Sequence, residues 1–85
     1  MFEDKKLELK YPCNWSYKVI INAHCKIEHI VKNSVGDRTH QISKSNNSKN
    51  KTYMSYKVSM LVHSDEDRVG IFHEFKKEDC VKIVL

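Results

Sequence analysis

"WSYKVIINAHCKIEHIVK", residues 15–32, changes its hydrophobic period in mid-course, and that change decides the fold. Trp15, Tyr17, Val19 and Ile21 alternate with Ser16, Lys18, Ile20 and Asn22, which is the period of a half-buried strand. Ala23, Ile27, Ile30 and Val31 then fall at i, i+4, i+7 and i+8, the stripe of an amphipathic helix, with Asn22 placed to cap it. The pattern predicts a strand over 15–22 and a helix over 23–34. "SVGDR" ends the helix, with Gly36 available for the left-handed conformation that often closes one.

A second hand-over of the same kind follows. "TYMSYKVSMLVH" (52–63) puts Tyr56, Val58, Met60 and Val62 on one face and Ser55, Lys57, Ser59 and Leu61 on the other. Ser64, with Asp67 three residues on, resembles a capping box and opens a helix over "DEDRVGIFHEFKKE". Its acids sit in the first turn and its lysines near the end, as the helix dipole favours. Val69, Phe72 and Phe75 are its expected buried stripe, widened by Ile71, with Gly70 on the polar side. Between the two halves, 38–44 reads as a weak strand and "SNNSKNK" as a polar loop, so that 38–44 and 53–63 form a long hairpin. In the closing "CVKIVL", Val81, Ile83 and Leu85 are expected to face the core, and Lys82 and Val84 to face away from it.

The order strand, helix, strand, strand, helix, strand is that of an α+β, ferredoxin-like βαββαβ domain. It predicts a four-stranded, mainly antiparallel sheet with both helices packed on one face. The expected domain is 15–85, preceded by a polar leader, 1–14, that ends in "YPCN".

Composition narrows the function classes. The chain has 85 residues, 40% hydrophobic and 31% charged, enough for one domain and one modest core. Its apolar runs are far shorter than the ~20 residues of a membrane span, and the N-terminus lacks the apolar core of a signal peptide. A soluble, cytoplasmic protein with no membrane partner is expected. Three cysteines, Cys13, Cys25 and Cys80, are an odd number without regular spacing, and all three are expected to be free thiols. The net charge of +4 is local: Arg38, Lys44, Lys49, Lys51 and Lys57 occur in a segment without acids, leaving −1 for the remainder.

"YP" before the first strand, "SYKV" within it, "KS" followed by "TYMSYKV" across the hairpin, and the terminal "VKIVL" together resemble the small uncharacterised bacterial proteins of the YbeD family. The resemblance covers roughly 11–85. It implies a ferredoxin-like fold similar to that of ACT regulatory domains, which bind amino acids at subunit interfaces. Members of that family usually carry a glycine in the hairpin, where this chain has the glycine-free "NNSKNK".

No catalytic residue, metal site or cofactor is assigned. On a helix over 23–34, Cys25 and His29 share one side while His24 points elsewhere, so at most two ligands converge, and a zinc site needs three or four. No nucleophile elbow, zinc-protease, Walker or dinucleotide glycine pattern occurs, with Gly36 and Gly70 the only glycines. Trp15, Tyr17 and Tyr56 could stack on RNA bases only from the open face of the sheet, and the aliphatic residues that share their faces place them in the core.

The open face itself remains. Ser16, Lys18, Ile20, Asn22, Ser55, Lys57, Ser59, Leu61, Lys82 and Val84 intersperse lysines with apolar residues, which suits a protein interface or a homodimer. Its candidate contact residues are Lys18, Ile20, Lys57, Leu61, Lys82 and Val84. A non-enzymatic regulatory or interaction module is the leading expectation. An ACT-like sensor of a small molecule, an amino acid, is the first alternative. Weak nucleic-acid binding through the basic hairpin, by Arg38, Lys44, Lys49 and Lys51, is the second and less favoured.

Overall fold

The structure, a computed structural model, describes residues 9–45 and 52–85. Along the chain run β1 (Cys13–Asn22), α1 (Ile27–Val35), β2 (His40–Lys44), β3 (Tyr53–Val62), α2 (Asp65–Lys76) and β4 (Val81–Val84). The strands form one sheet in the order β2-β3-β1-β4, with every pairing antiparallel. This is the expected ferredoxin-like α+β plan.

Parity along β1 and β3 organises the core. Tyr17, Val19 and Ile21 on β1 pair with Val58, Tyr56 and Met54 on β3. Tyr17, Val19, Ile21, Val58, Met60 and Val62 are buried, and Ile27, Ile30 and Val31 of α1 with Ile71 and Phe75 of α2 close over them. Each fully buried aliphatic or aromatic side chain contributes about 1.5–3 kcal/mol relative to exposure. Tyr17 and Phe75 meet edge to face with ring centroids 5.6 Å apart. The Tyr17 hydroxyl donates to the Arg68 carbonyl at 2.7 Å, so the one polar atom of this ring has a partner. Trp15 and Tyr56 also pack against the core, as their parity requires.

α1 begins later than its periodicity suggests. Asn22 is still part of β1, opposite Tyr53, and its N–H donates to the Cys80 carbonyl at 3.0 Å. Its own carbonyl accepts from Cys25 N–H at 3.0 Å, closing a turn. The helix therefore starts at Ile27, with Lys26 as an extended N-cap that offers no side-chain bond. Ala23 is exposed in the turn instead of contributing to the stripe. Gly36 ends the helix at φ +67, and its N–H bonds to the Lys32 carbonyl at 2.9 Å.

α2 starts as expected: the Ser64 hydroxyl accepts from Asp67 N–H at 3.0 Å. The Asp67 carboxylate does not close the box on Ser64. It accepts from His63 N–H at 2.9 Å and takes a two-point contact from the Arg38 guanidinium, one bond of it at 2.9 Å. The buried side of α2 is Ile71 and Phe75, and Val69 is 41% exposed. At ~100° per residue, Val69 and Ile71 cannot share a face, and Arg68 takes the place beside Ile71, its guanidinium 4.8 Å from the centre of the Trp15 ring.

β4 carries the largest correction. Val19 pairs with Val84 and Ile20 with Ile83, but Ile21 pairs with Val81, because the register shifts between Ile20 and Ile21. This bulge makes Val81 and Val84, three apart, both face the helices. Val84 is buried, whereas Ile83 is 45% and Leu85 69% exposed.

Candidate functional site

The face of the sheet away from the helices is built by strand parity. β1 presents Asn14, Ser16, Lys18, Ile20 and Asn22, and β3 presents their partners Leu61, Ser59, Lys57, Ser55 and Tyr53. β2 adds Gln41 and Ser43, opposite Ser59 and Lys57. On the β4 side lie Ile83, opposite Ile20, and Leu85, joined to Lys18 by reciprocal backbone bonds of 3.1 and 2.9 Å. Lys82, the residue passed over by the bulge, reaches across to Tyr53, its Nζ 5.7 Å from the ring centre.

Two properties of this surface stand out chemically. It carries three lysines, Lys18, Lys57 and Lys82, and none of its described side chains is acidic. Among the described residues no carboxylate forms an ion pair with any of the three. Ile20, Ile83 and Leu85 form a continuous apolar strip along the β1–β4 border, and Leu61 lies at the other end of β1, opposite Asn14. Between these, Ser16 and Ser59 share a hydrogen bond of 2.9 Å across the strands. The Ser55 Oγ is buried without a partner among the described residues.

Of the contact residues expected from sequence, Lys18, Ile20, Lys57, Leu61 and Lys82 do lie on this face. Val84 does not; the bulge turns it into the core. Ile83, Leu85 and Tyr53 belong to the face and were not among the expected contact residues. β4 offers an aliphatic residue in either parity, so no periodicity could separate Ile83 from Val84.

Among the described residues, the basic positions expected on the hairpin are not gathered into one patch. Arg38 is committed to Asp67 and also donates to the Leu61 carbonyl at 3.0 Å, which leaves it poorly placed to meet a phosphate. That ion pair holds the Asp67 carboxyl below its usual range, with the Arg38 hydrogen bonds as the main cause. Lys44 is exposed at the end of β2, Lys57 belongs to the open face, and Lys49 and Lys51 lie outside the described residues.

The cysteines depart from expectation. Cys25 and Cys80 are joined by a disulfide across 55 positions, and Cys13 alone is free. The turn after β1 and the turn before β4 meet at the same end of the sheet, which linear spacing could not reveal. His24, His29 and Glu78 line the depression beside the bond. Among the described residues no cluster of three or more His, Cys, Asp or Glu is arranged to hold a metal ion. None of the described helices is long and apolar enough to cross a membrane.

Comparison with known proteins places this arrangement among relatives. A family model described as a protein of unknown function (DUF493) matches residues 6–85. The uncharacterised protein Cj0253 of Campylobacter jejuni is 36% identical over 81 residues, covering 95% of this chain and 91% of its own. A protein of Buchnera aphidicola named as a UPF0250 protein is 31% identical over 85 residues, with 94% of each chain covered. The solution structure of HP0495 from Helicobacter pylori superposes with a TM-score of 0.81 at 29% identity, over 98% of this chain and 91% of that one.

Proposed function

The chain belongs to the DUF493 family, the YbeD-like group its motifs resemble, and from that premise we propose that it is a small non-enzymatic interaction module working through the open face of its sheet. The observation that supports this reading is the make-up of that face: an apolar strip of Ile20, Ile83 and Leu85 beside Lys18, Lys57 and Lys82, without an acidic side chain among its described residues. Apolar contact supplies affinity, and the lysines supply orientation and faster encounter. The matching partner is a protein surface with an apolar centre and acidic surroundings. A regulatory role follows if the partner is an enzyme or a transcription component, since a domain this small has little else to act with.

The test compares tagged wild type with two variants, Ile83→Asp and Lys32→Glu, each used to capture partners from the protein's own cells. Ile83 is exposed on the open face, whereas Lys32 is exposed on α1. A partner retained by wild type and by Lys32→Glu but lost from Ile83→Asp supports the reading. Capture of nucleic acid instead, in a salt-sensitive manner and weakened by alanine at Lys44, Lys49 and Lys51, would favour the basic hairpin. A rise in melting temperature with one amino acid, with no protein captured, would favour a sensor resembling ACT domains.

A further inference from the structure

The disulfide has no part in the proposed interface. Cys25 and Cys80 are both half-exposed, and they open into a surface depression lined also by His24, Lys26, His29 and Glu78. Neither sulfur is needed to hold the two cysteines side by side. Asn22 N–H bonds to the Cys80 carbonyl at 3.0 Å, Cys25 N–H bonds to the Asn22 carbonyl at 3.0 Å, and Ala23 N–H bonds to the Thr52 carbonyl at 2.8 Å. Val81 N–H bonds to the Glu78 carbonyl at 3.0 Å and fixes the turn before β4 in the same way. A pair kept in register by backbone bonds stays close after the sulfur–sulfur bond is cut, so the bond can form again without refolding.

The surroundings of the two sulfurs differ. Cys25 stands between His24 and Lys26, next to the N-cap of α1, where the helix dipole and a nearby ammonium favour a thiolate. Glu78 lines the depression that both sulfurs share, so the difference between them comes from the helix end beside Cys25, and Cys80 lies in the turn before β4 with no helix start beside it. The sulfur that leaves more readily in exchange is the one whose thiolate is better stabilised.

We propose that Cys25 and Cys80 form a reversible redox site, opened by a dithiol reductant that attacks the Cys80 sulfur and expels the Cys25 thiolate. In the first step a reductant thiolate bonds to Cys80 Sγ. The Sγ–Sγ bond breaks, and its electron pair leaves on Cys25 Sγ, which then takes up a proton. In the second step the reductant's other thiolate attacks its own bound sulfur and releases Cys80, which is protonated in turn. The protein gains two electrons and two protons, and the dithiol becomes a cyclic disulfide. Reduction removes the covalent link between the turn over 23–26 and the turn before β4, while the backbone bonds and the hydrophobic core stay in place.

The experiment equilibrates native wild-type protein with mixtures of reduced and oxidised dithiothreitol, quenches with acid, alkylates the free thiols and weighs the products. Cys25 and Cys80 are expected to titrate together as a two-electron unit, with Cys13 alkylated throughout, and full re-oxidation is expected without unfolding. Two free thiols in the most oxidising mixture, or a bond reducible only in denaturant, would overturn the proposal. A second measurement addresses direction. In the reduced protein, brief exposure to iodoacetamide at neutral pH is expected to modify Cys25 at least threefold faster than Cys80, and equal or reversed rates would refute the assigned leaving group.

Discussion

Lys18 and Lys57 stand directly opposite each other on the open face, cross-strand partners of like charge at the middle of the β1–β3 pairing. Directly opposed like charges weaken a sheet, by an amount comparable to what an opposite-charge pair contributes, about 0.2–1 kcal/mol. Both side chains are exposed, so salt screens the cost. Lys57→Glu is therefore expected to raise the urea midpoint slightly while weakening capture of the partner proposed for this face. A charge reversal that destabilised the fold, or left capture unchanged, would count against a positively charged contact face.

The β4 register can be tested by a pair of neighbours. Val84 faces the core opposite Val19, whereas Ile83 faces outward opposite Ile20. Val84→Ala is expected to cost about 1–2.5 kcal/mol, and Ile83→Ala less than about 1 kcal/mol although it removes more carbon. Denaturant titration of both variants distinguishes this register from simple alternation, which predicts the reverse order.

The disulfide closes a long stretch of chain. For a sequence separation of 55 the loop-closure relation gives about 4 kcal/mol, and measured values are commonly about 2–4 kcal/mol. Cys25→Ser is expected to lower the stability of the oxidised protein by an amount in that range. In the presence of excess dithiol the same change should have little effect, and Cys13→Ser should be nearly neutral in both conditions.

Arg38 and Asp67 link the approach to β2 with the first turn of α2. Because the folded-state pKa of Asp67 is depressed, its contribution is complete above the ordinary carboxylate pKa of about 4 and is lost as pH falls through the folded value. Asp65 shifts in the same direction, chiefly through the Tyr11 hydroxyl, and adds to the acid sensitivity. Asp67→Asn is expected to cost about 1–2 kcal/mol near neutrality. Its unfolding midpoints should also fall less steeply than those of wild type between pH 4 and pH 2, values taken as about the acid range in which such a carboxylate titrates.

Tyr17 gives the alkaline counterpart. Burial pushes its hydroxyl up to about 12, so the unfolded chain ionises first, at the ordinary value of 10.0. Its contribution is full below the unfolded value and declines, by up to about 1.4 kcal/mol per pH unit, until the folded value is reached. Tyr17→Phe should remove that decline, at a cost of about 1 kcal/mol at neutral pH for the lost bond to the Arg68 carbonyl. Denaturant midpoints above pH 9.5 or so, where a free tyrosine begins to ionise, would show whether the two curves converge.

The open face was only partly legible, and the reason is specific. Lys18, Ile20, Lys57 and Leu61 lie on long strands paired over their full length, where alternation carries through without interruption. Val84 lies beyond a bulge, on a strand of four residues. Arg38 is near the hairpin lysines in sequence, but its guanidinium meets an acid 29 positions away.

What the sequence by itself determined is the order of strands and helices, the inward faces of β1 and β3, the Ser64 cap and the Gly36 stop, together with membership of the YbeD-like group. The elements, faces and caps depend on residues within a few positions of one another, the range over which local periodicity and capping chemistry act, and the family likeness depends on short motifs spread over 11–85. The tertiary structure decided the start of α1, the face of β4, the Arg38–Asp67 ion pair and the meeting of Cys25 with Cys80. Each of these is set by bonds to a distant segment: Asn22 is held in the sheet by Tyr53 and Cys80, and the bulge in β4 is defined only against β1. A pattern along one chain segment does not contain the register of its partner.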